Sequence, residues 1–210
     1  ALASCSSLFL VACSGTVEDE RLPVASVDSI ATDSAELCRD IQDRVACRRR
    51  IEERRLAATN GTVRRSGDSL VIAVEGAEPV VLVDSLDEHQ VGVEYSYLGA
   101  HPRLGWHLVH VQEYEGDGWL LIHPRTKAEF PLDARPVYAP GMRRFATASW
   151  DLEAGYNANA LRILSLDADS AWIEWEIEPD DWGPSSPRWA SNNALHFTKH
   201  VQLEGGGYAD

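Results

Sequence analysis

The chain has 210 residues and carries 33 Asp and Glu against 19 Lys and Arg, a formal net charge of −14 at pH 7. That length is a prior for one domain, able to bury roughly 70% of its unfolded surface in a single core. So acidic a surface repels phosphate and excludes nucleic acid as a partner, while no run reaches the ~20 apolar residues of a membrane span.

Taken from the start, residues 1–12 end in the apolar run Leu8-Phe9-Leu10-Val11-Ala12, and Cys13-Ser14-Gly15 follow. A short apolar stretch closing on small residues is how a secretory signal ends. Leu10-Val11-Ala12-Cys13 resembles the lipobox of bacterial lipoproteins, with 1–12 as the remnant of the signal. The resemblance implies that Cys13 is lipidated on sulfur and becomes the first mature residue. It also implies, since Ser14 follows the cysteine, the periplasmic side of the outer membrane. Acyl chains then hold the protein to the membrane. Residues 13–33 have small and acidic residues and no periodicity, and read as a tether with a reach of roughly 25 Å.

Residues 34–59 are expected to form a helical hairpin. Cys38 and Cys47 are the cysteines left to pair in an oxidising compartment. On one continuous helix they would lie about 13.5 Å apart on opposite faces, whereas a disulfide needs Cα atoms within ~7 Å. A helix break near Asp43, a plausible N-cap, reconciles the two. Asn60-Gly61 supplies a left-handed stop. The Arg48-Arg49-Arg50 and Arg54-Arg55 runs read first as a solvated helix face with i,i+4 pairs, Arg48 with Glu52 and Arg49 with Glu53. Docking of this basic element on the acidic remainder of the chain ranks second. Between Asp33 and Asp68 there are nine Arg against seven acids, and from Ser69 onward nine Lys or Arg against twenty-two acids.

From residue 62 to 202 the apolar period changes to two, with turn signals such as Gly67-Asp68, Glu115-Gly116-Asp117-Gly118 and Pro140-Gly141. Ten to twelve strands are expected, among them Arg144–Ser149, Leu161–Leu166, Ala171–Glu178 and Leu195–Val201, and residues 203–210 are a tail. The fold class is therefore mainly β, antiparallel, with a short N-terminal helical hairpin. Pro136-Val137-Tyr138-Ala139-Pro140-Gly141 leads into a strand at Phe145, and fifty-one residues on Pro187-Arg188-Trp189-Ala190-Ser191-Asn192 leads into a strand at Phe197. A period near fifty with about four strands per unit is that of propeller blades. Tyr138 through Ala146 resembles the turn-and-strand of Tol-type and WD-repeat β-propellers. About 140 β residues make three blades at most, so the resemblance implies an incomplete or self-associating propeller, and an ordinary β-sandwich is the alternative.

Glu174, Glu176 and Glu178 alternate with Ile173, Trp175 and Ile177 and are expected to share one strand face. Asp180, Asp181 and Trp182 follow in an expected loop. These six residues are the binding candidates, an acidic ladder ending in an exposed aromatic that suits a basic protein partner. Asp151, Glu153, Asn157 and Asn159 place oxygen ligands at alternate positions, a pattern suited to Ca2+, though a polar turn bonded to its own backbone explains it better. No metal or other cofactor is expected otherwise. Seven His read as structural or surface residues, and most of the seven Trp as packing. No catalytic motif is present. The sequence thus points to a non-catalytic envelope lipoprotein binding a protein or cell-envelope component. A lysozyme-inhibitor-like module for a basic enzyme and a hydrolase with its site in sheet-end loops are the alternatives.

Overall fold

A computed structural model describes residues 36–85, 92–202 and 208–209. The lipobox, Cys13 and the tether lie outside the described residues. A disulfide joins Cys38 to Cys47, with Cα atoms 5.3 Å apart. Asp43 caps helix α1 (Arg44–Ala57), its carboxylate accepting the Val45 N–H at 2.9 Å. Asn60 and Gly61, both left-handed (φ 52° and 83°), turn the chain out of it. The expected hairpin is corrected. Residues 36–37 are helical, 38–40 form a turn, and α1 is the only full helix among the described residues. The disulfide draws Cys38 against the first turn of α1, and the few residues between have room only to reverse direction.

Among the described residues fourteen strands follow, arranged in four antiparallel sheets in chain order. The first holds β1 (Val63–Ser66), β2 (Ser69–Val74) and β3 (Ala77–Val83). The second is the meander β4 (Glu94–Ala100), β5 (His107–Gln112), β6 (Asp117–Ile122) and β7 (Glu129–Leu132). The third is β8 (Val137–Tyr138), β9 (Arg144–Ser149), β10 (Ala160–Leu166) and β11 (Ala171–Ile177). The last is β12 (Trp182–Ser191), β13 (Ala194–Gln202) and β14 (Tyr208–Ala209).

Alternation along the strands gives each inner sheet two apolar faces, and those faces stack the sheets in a row. Leu70, Ile72, Val80 and Leu82 of the first sheet meet Tyr97, Val109 and Ile122 of the second. Leu121 and Leu132, in the opposite phase of the second sheet, meet Phe145, Leu164 and Leu166 of the third around Trp106. β12 then packs across β8, β9 and β10. The row is open: among the described residues no sheet closes into a propeller.

The internal echo has a physical counterpart. Asn192 accepts the Gly141 N–H at 2.7 Å, and the Trp189 indole donates to the Val137 carbonyl at 2.8 Å. Residues about fifty-one apart therefore touch across neighbouring sheets.

One side of the basic helix docks inward through Arg48, Glu52 and Arg55, while Arg49, Arg50, Glu53 and Arg54 form an exposed face. Glu52 is buried, accepting the Tyr97 N–H at 2.7 Å and the Arg65 guanidinium at 3.0 Å. Arg48 reaches Glu94 and Gln112 instead of Glu52. Arg55 donates to the Tyr97 carbonyl, and burial, with Arg135 nearby, lowers its pKa to about 10.

Candidate binding surface

Asp180 and Asp181 lie in a bend between strands, as expected, but Trp182 does not: β12 begins there and runs through Pro184 and Pro187. Proline removes a ladder donor, but β12 is the edge of its sheet, and its pairing with β13 is interrupted between Ser185 and Arg188. Edges and bulges are where a sheet tolerates proline. Trp182 consequently stacks on Phe197 at 5.9 Å between centroids, with the Lys199 ammonium over its ring at 4.8 Å. Asp180 and Asp181 are exposed just ahead of it.

The acidic ladder is also rearranged. The β10–β11 register shifts between Ile163 and Leu164, leaving Glu174 as the extra residue of a bulge. Glu174 turns to Arg144 and to the Ser165 hydroxyl. Glu176 and Glu178 both accept from Arg162 at 2.7 Å, and Asp133 pairs with the same guanidinium. The three Glu are thus split by the bulge and engaged by two arginines, where an unbroken period of two would have put them on one face. Replacing Glu174, Glu176 and Glu178 together by Gln is expected to cost about 1–2 kcal/mol by urea denaturation, because Arg162 keeps Asp133 and exposed pairs contribute little each. A loss above about 4 kcal/mol would show that the pairs hold the sheet.

The same bulge sorts the apolar residues. Trp172, Trp175 and Ile177 are in register with Ser165, Ile163 and Leu161, so they share one face of the third sheet. β12 covers that face over β8, β9 and β10 and stops short of edge strand β11. Trp172, Trp175 and Ile177 are 44%, 45% and 36% exposed, an aromatic strip bordered on that face by the Arg144–Glu174 pair, while Arg162, Glu176 and Glu178 lie on the opposite face. Near the other end of β12, Arg188, Trp189, His196 and Phe197 border a shallow depression of about 350 Å³.

The loop read as a possible Ca2+ site serves its own backbone. Asp151 accepts the N–H groups of Ala154, Gly155, Tyr156 and Asn157 at 2.7–2.9 Å, and these bonds hold its carboxyl below the usual range, that from Asn157 most. Asn159 donates to the Trp182 carbonyl at 2.8 Å, away from Asp151. Among the described residues no three His, Cys, Asp or Glu converge as metal ligands.

Two buried histidines join the second and third sheets, a structural place that agrees with reading the His as structural or surface residues but was not foreseen for either one. His101 Nδ1 accepts the N–H groups of Arg103 and Leu104, while Nε2 donates to the Met142 carbonyl at 2.6 Å. His123 repeats the arrangement with Arg125, Thr126 and the Ala168 carbonyl at 2.7 Å. The overlooked signal is the tripeptide His-Pro-Arg, present at 101–103 and again at 123–125. Elsewhere Trp150 stacks on His200 at 3.9 Å, and a Cβ on Gly183 would lie 2.0 Å from its ring, so glycine is required where the third and last sheets meet.

No protein-family model, curated protein or solved structure matches the chain.

Proposed function

We propose that the chain is a non-catalytic binding module of the bacterial cell envelope, held at the periplasmic side of the outer membrane by a lipid on Cys13. Its ligand is a protein or an envelope component. The observation that carries binding is the strip of Trp172, Trp175 and Ile177, exposed on an edge strand and bordered by the Arg144–Glu174 ion pair. Aromatic anchors inside a polar rim are the usual composition of a protein contact. Consecutive meanders stacked in chain order support an incomplete propeller over a two-sheet sandwich. With Glu174, Glu176 and Glu178 engaged by arginine, aromatic contact accounts for binding better than attraction of a basic enzyme to a free acidic ladder.

Location and binding are tested separately. Metabolic labelling with a fatty acid should mark the wild type in a bacterial host, and Cys13→Ser should abolish the label and move the protein to the soluble fraction. An unlabelled wild type overturns the anchor. For binding, affinity capture from an envelope extract should enrich a component that the Trp172→Ala/Trp175→Ala variant loses while keeping its near-UV circular dichroism. Equal recovery by both proteins overturns the strip as the contact.

A further inference from the structure

A sheet edge presents a row of backbone N–H and C=O groups that invite another strand, and folded chains ordinarily blunt it. Among the described residues every edge strand but one is blunted. β3, β7 and β12 contain Pro79, Pro131, and Pro184 with Pro187. β8 and β14 have two residues each and β1 has four. The edge of β4 is closed by side chains. The Tyr97 N–H donates to Glu52 and its carbonyl accepts from Arg55, while the Tyr95 N–H donates to Asp84 and its carbonyl accepts from Arg65. β11 is the exception: seven residues without proline, paired with β10 alone and with no element packed along its outer side. All but the first of its residues are exposed. Its bulge displaces Glu174 only, and regular pairing resumes from Trp175 to Ile177.

On the reading that Trp172, Trp175 and Ile177 form the contact, we propose that β11 receives a strand from a partner protein, an extended segment in which cationic and apolar side chains alternate. The two faces of β11 select this occupant. A strand paired with β11 sets its side chains beside one face and then the other in turn. One phase meets Trp172, Trp175 and Ile177, where β-branched and other apolar residues pair best. The other phase meets Glu176 and Glu178, whose side chains are 42% and 57% exposed. Those two carboxylates and Asp133 share the single guanidinium of Arg162, so three negative charges meet one positive and that face stays anionic. Residues 167–181 carry seven Asp or Glu and no Lys or Arg, which extends the same field along the edge.

The same charge excludes a second copy as the occupant. β11 paired with another β11 brings two sets of Glu176 and Glu178 onto one short ladder, and like charges across a strand pair destabilise it. An acidic segment is refused for the same reason. Main-chain bonds and the tryptophans supply the binding, and the carboxylates choose among the strands that could make it. An extended seven-residue segment is ~23 Å long and buries less than the ~1,200 Å² of a stable complex. Binding of one isolated segment is therefore weak and reversible.

The test uses the unacylated 210-residue chain and a fluorescent peptide of about eight residues alternating Lys and Val, ~26 Å when extended. Fluorescence anisotropy in about 20 mM salt, with protein up to about 500 μM, should give saturable binding that weakens at least tenfold in about 300 mM salt. Two further peptides carry N-methyl groups on the Lys amides or on the Val amides. One of them should bind at least tenfold more weakly and the other within about twofold of the parent, because only one edge of the peptide meets β11. All three have the same charge, so non-specific attraction to an acidic protein affects them equally. A peptide alternating Glu and Val should not bind, and Glu176→Gln with Glu178→Gln should weaken the Lys peptide at least fivefold. No saturable binding of the parent peptide overturns the proposal. Equal affinity of the three peptides, or equal loss from both methylations, overturns strand pairing. A Glu peptide bound as tightly as the Lys peptide, or an unchanged affinity in the Gln variant, overturns the cationic occupant. Should near-UV circular dichroism show the Gln variant unfolded, the Lys and Glu peptides on the wild type decide the charge. These results are separate from the strip itself, which fails only if the Trp172→Ala/Trp175→Ala variant recovers the captured envelope component as the wild type does.

Discussion

Arg65→Ala is expected to lower unfolding stability by about 3–5 kcal/mol, a large part of the ~5–15 kcal/mol of a domain this size. Arg65 lies on β1 and donates to Glu52 of α1, to Asp84 beyond β3 at 2.9 Å, and to the Tyr95 carbonyl of β4. One guanidinium thus joins the helix to both sheets of the first core. Glu52 is only 7% exposed, and Asp84 also accepts the Tyr95 N–H at 2.8 Å. Without Arg65 the buried Glu52 carboxylate keeps the Tyr97 N–H but loses its counter-charge, and that uncompensated charge is the main source of the cost. Proximity to Glu52 and Asp84 raises the pKa of Arg65 despite its burial, as expected of a cation held by two carboxylates. Arg65→Lys should fall between wild type and Arg65→Ala, because an ammonium cannot serve the three acceptors in the fixed fork of a guanidinium. Urea denaturation at pH 7 gives the measurement, and a loss below about 1 kcal/mol for Arg65→Ala would mean that the helix is held by apolar contacts alone.

This network shows where local reading of the sequence runs out. Arg48 and Glu52 have the spacing of a surface pair on a helix, and nothing within one turn says that Glu52 faces a sheet. Its partner lies thirteen residues on, and tertiary burial outweighs a helix pair worth a few tenths of a kcal/mol. The strands were more legible. Arg144–Ser149 has the bounds that turn signals and alternation give, because both of its faces are determined by apolar neighbours. β12 was not legible, since Gly183, Pro184 and Pro187 carry the chemistry of a turn and only its place at a sheet edge lets them lie in a strand. Phase was lost at Glu174 for a related reason. A bulge adds one residue to one strand, and alternation counted along β11 alone cannot locate it without the partner register. The candidate site shifted accordingly, from carboxylates engaged by Arg144 and Arg162 to the tryptophans beside them.

Acidification from pH 7 to pH 5 is expected to destabilise the protein, and His101→Gln should blunt that response. The ring of His101 is buried, with Nδ1 accepting two amide N–H groups and Nε2 donating to a carbonyl, so only the neutral Nε2–H tautomer fits. A second proton would sit on Nδ1 facing two donors. Burial pushes the His101 pKa below its ordinary 6.5, and the positive charge of Arg103 acts in the same direction, while the Met142 carbonyl opposes them. His107, whose ring is bonded to the buried Tyr97 hydroxyl, is lowered by burial as well. The unfolded chain therefore takes up protons near pH 6.5 that the folded chain refuses. The contribution of these groups to stability is complete above about 6.5 and is lost as pH falls from there toward the folded values, by at most about 1.4 kcal/mol per pH unit for each histidine. Removing both clamps outright is a larger change. His101→Phe with His123→Phe keeps two rings in the interior but leaves four amide donors and two carbonyls without partners between the second and third sheets. At roughly 1–3 kcal/mol for each buried group left unpaired, the double variant should lose about 4 kcal/mol or more, and exchange of the Met142 and Ala168 turn amides should quicken. Urea midpoints at pH 7 and pH 5 for the wild type, His101→Gln and the double variant decide the matter. A wild-type midpoint unchanged between the two pH values would mean that the His101 and His107 rings accept a second proton in place.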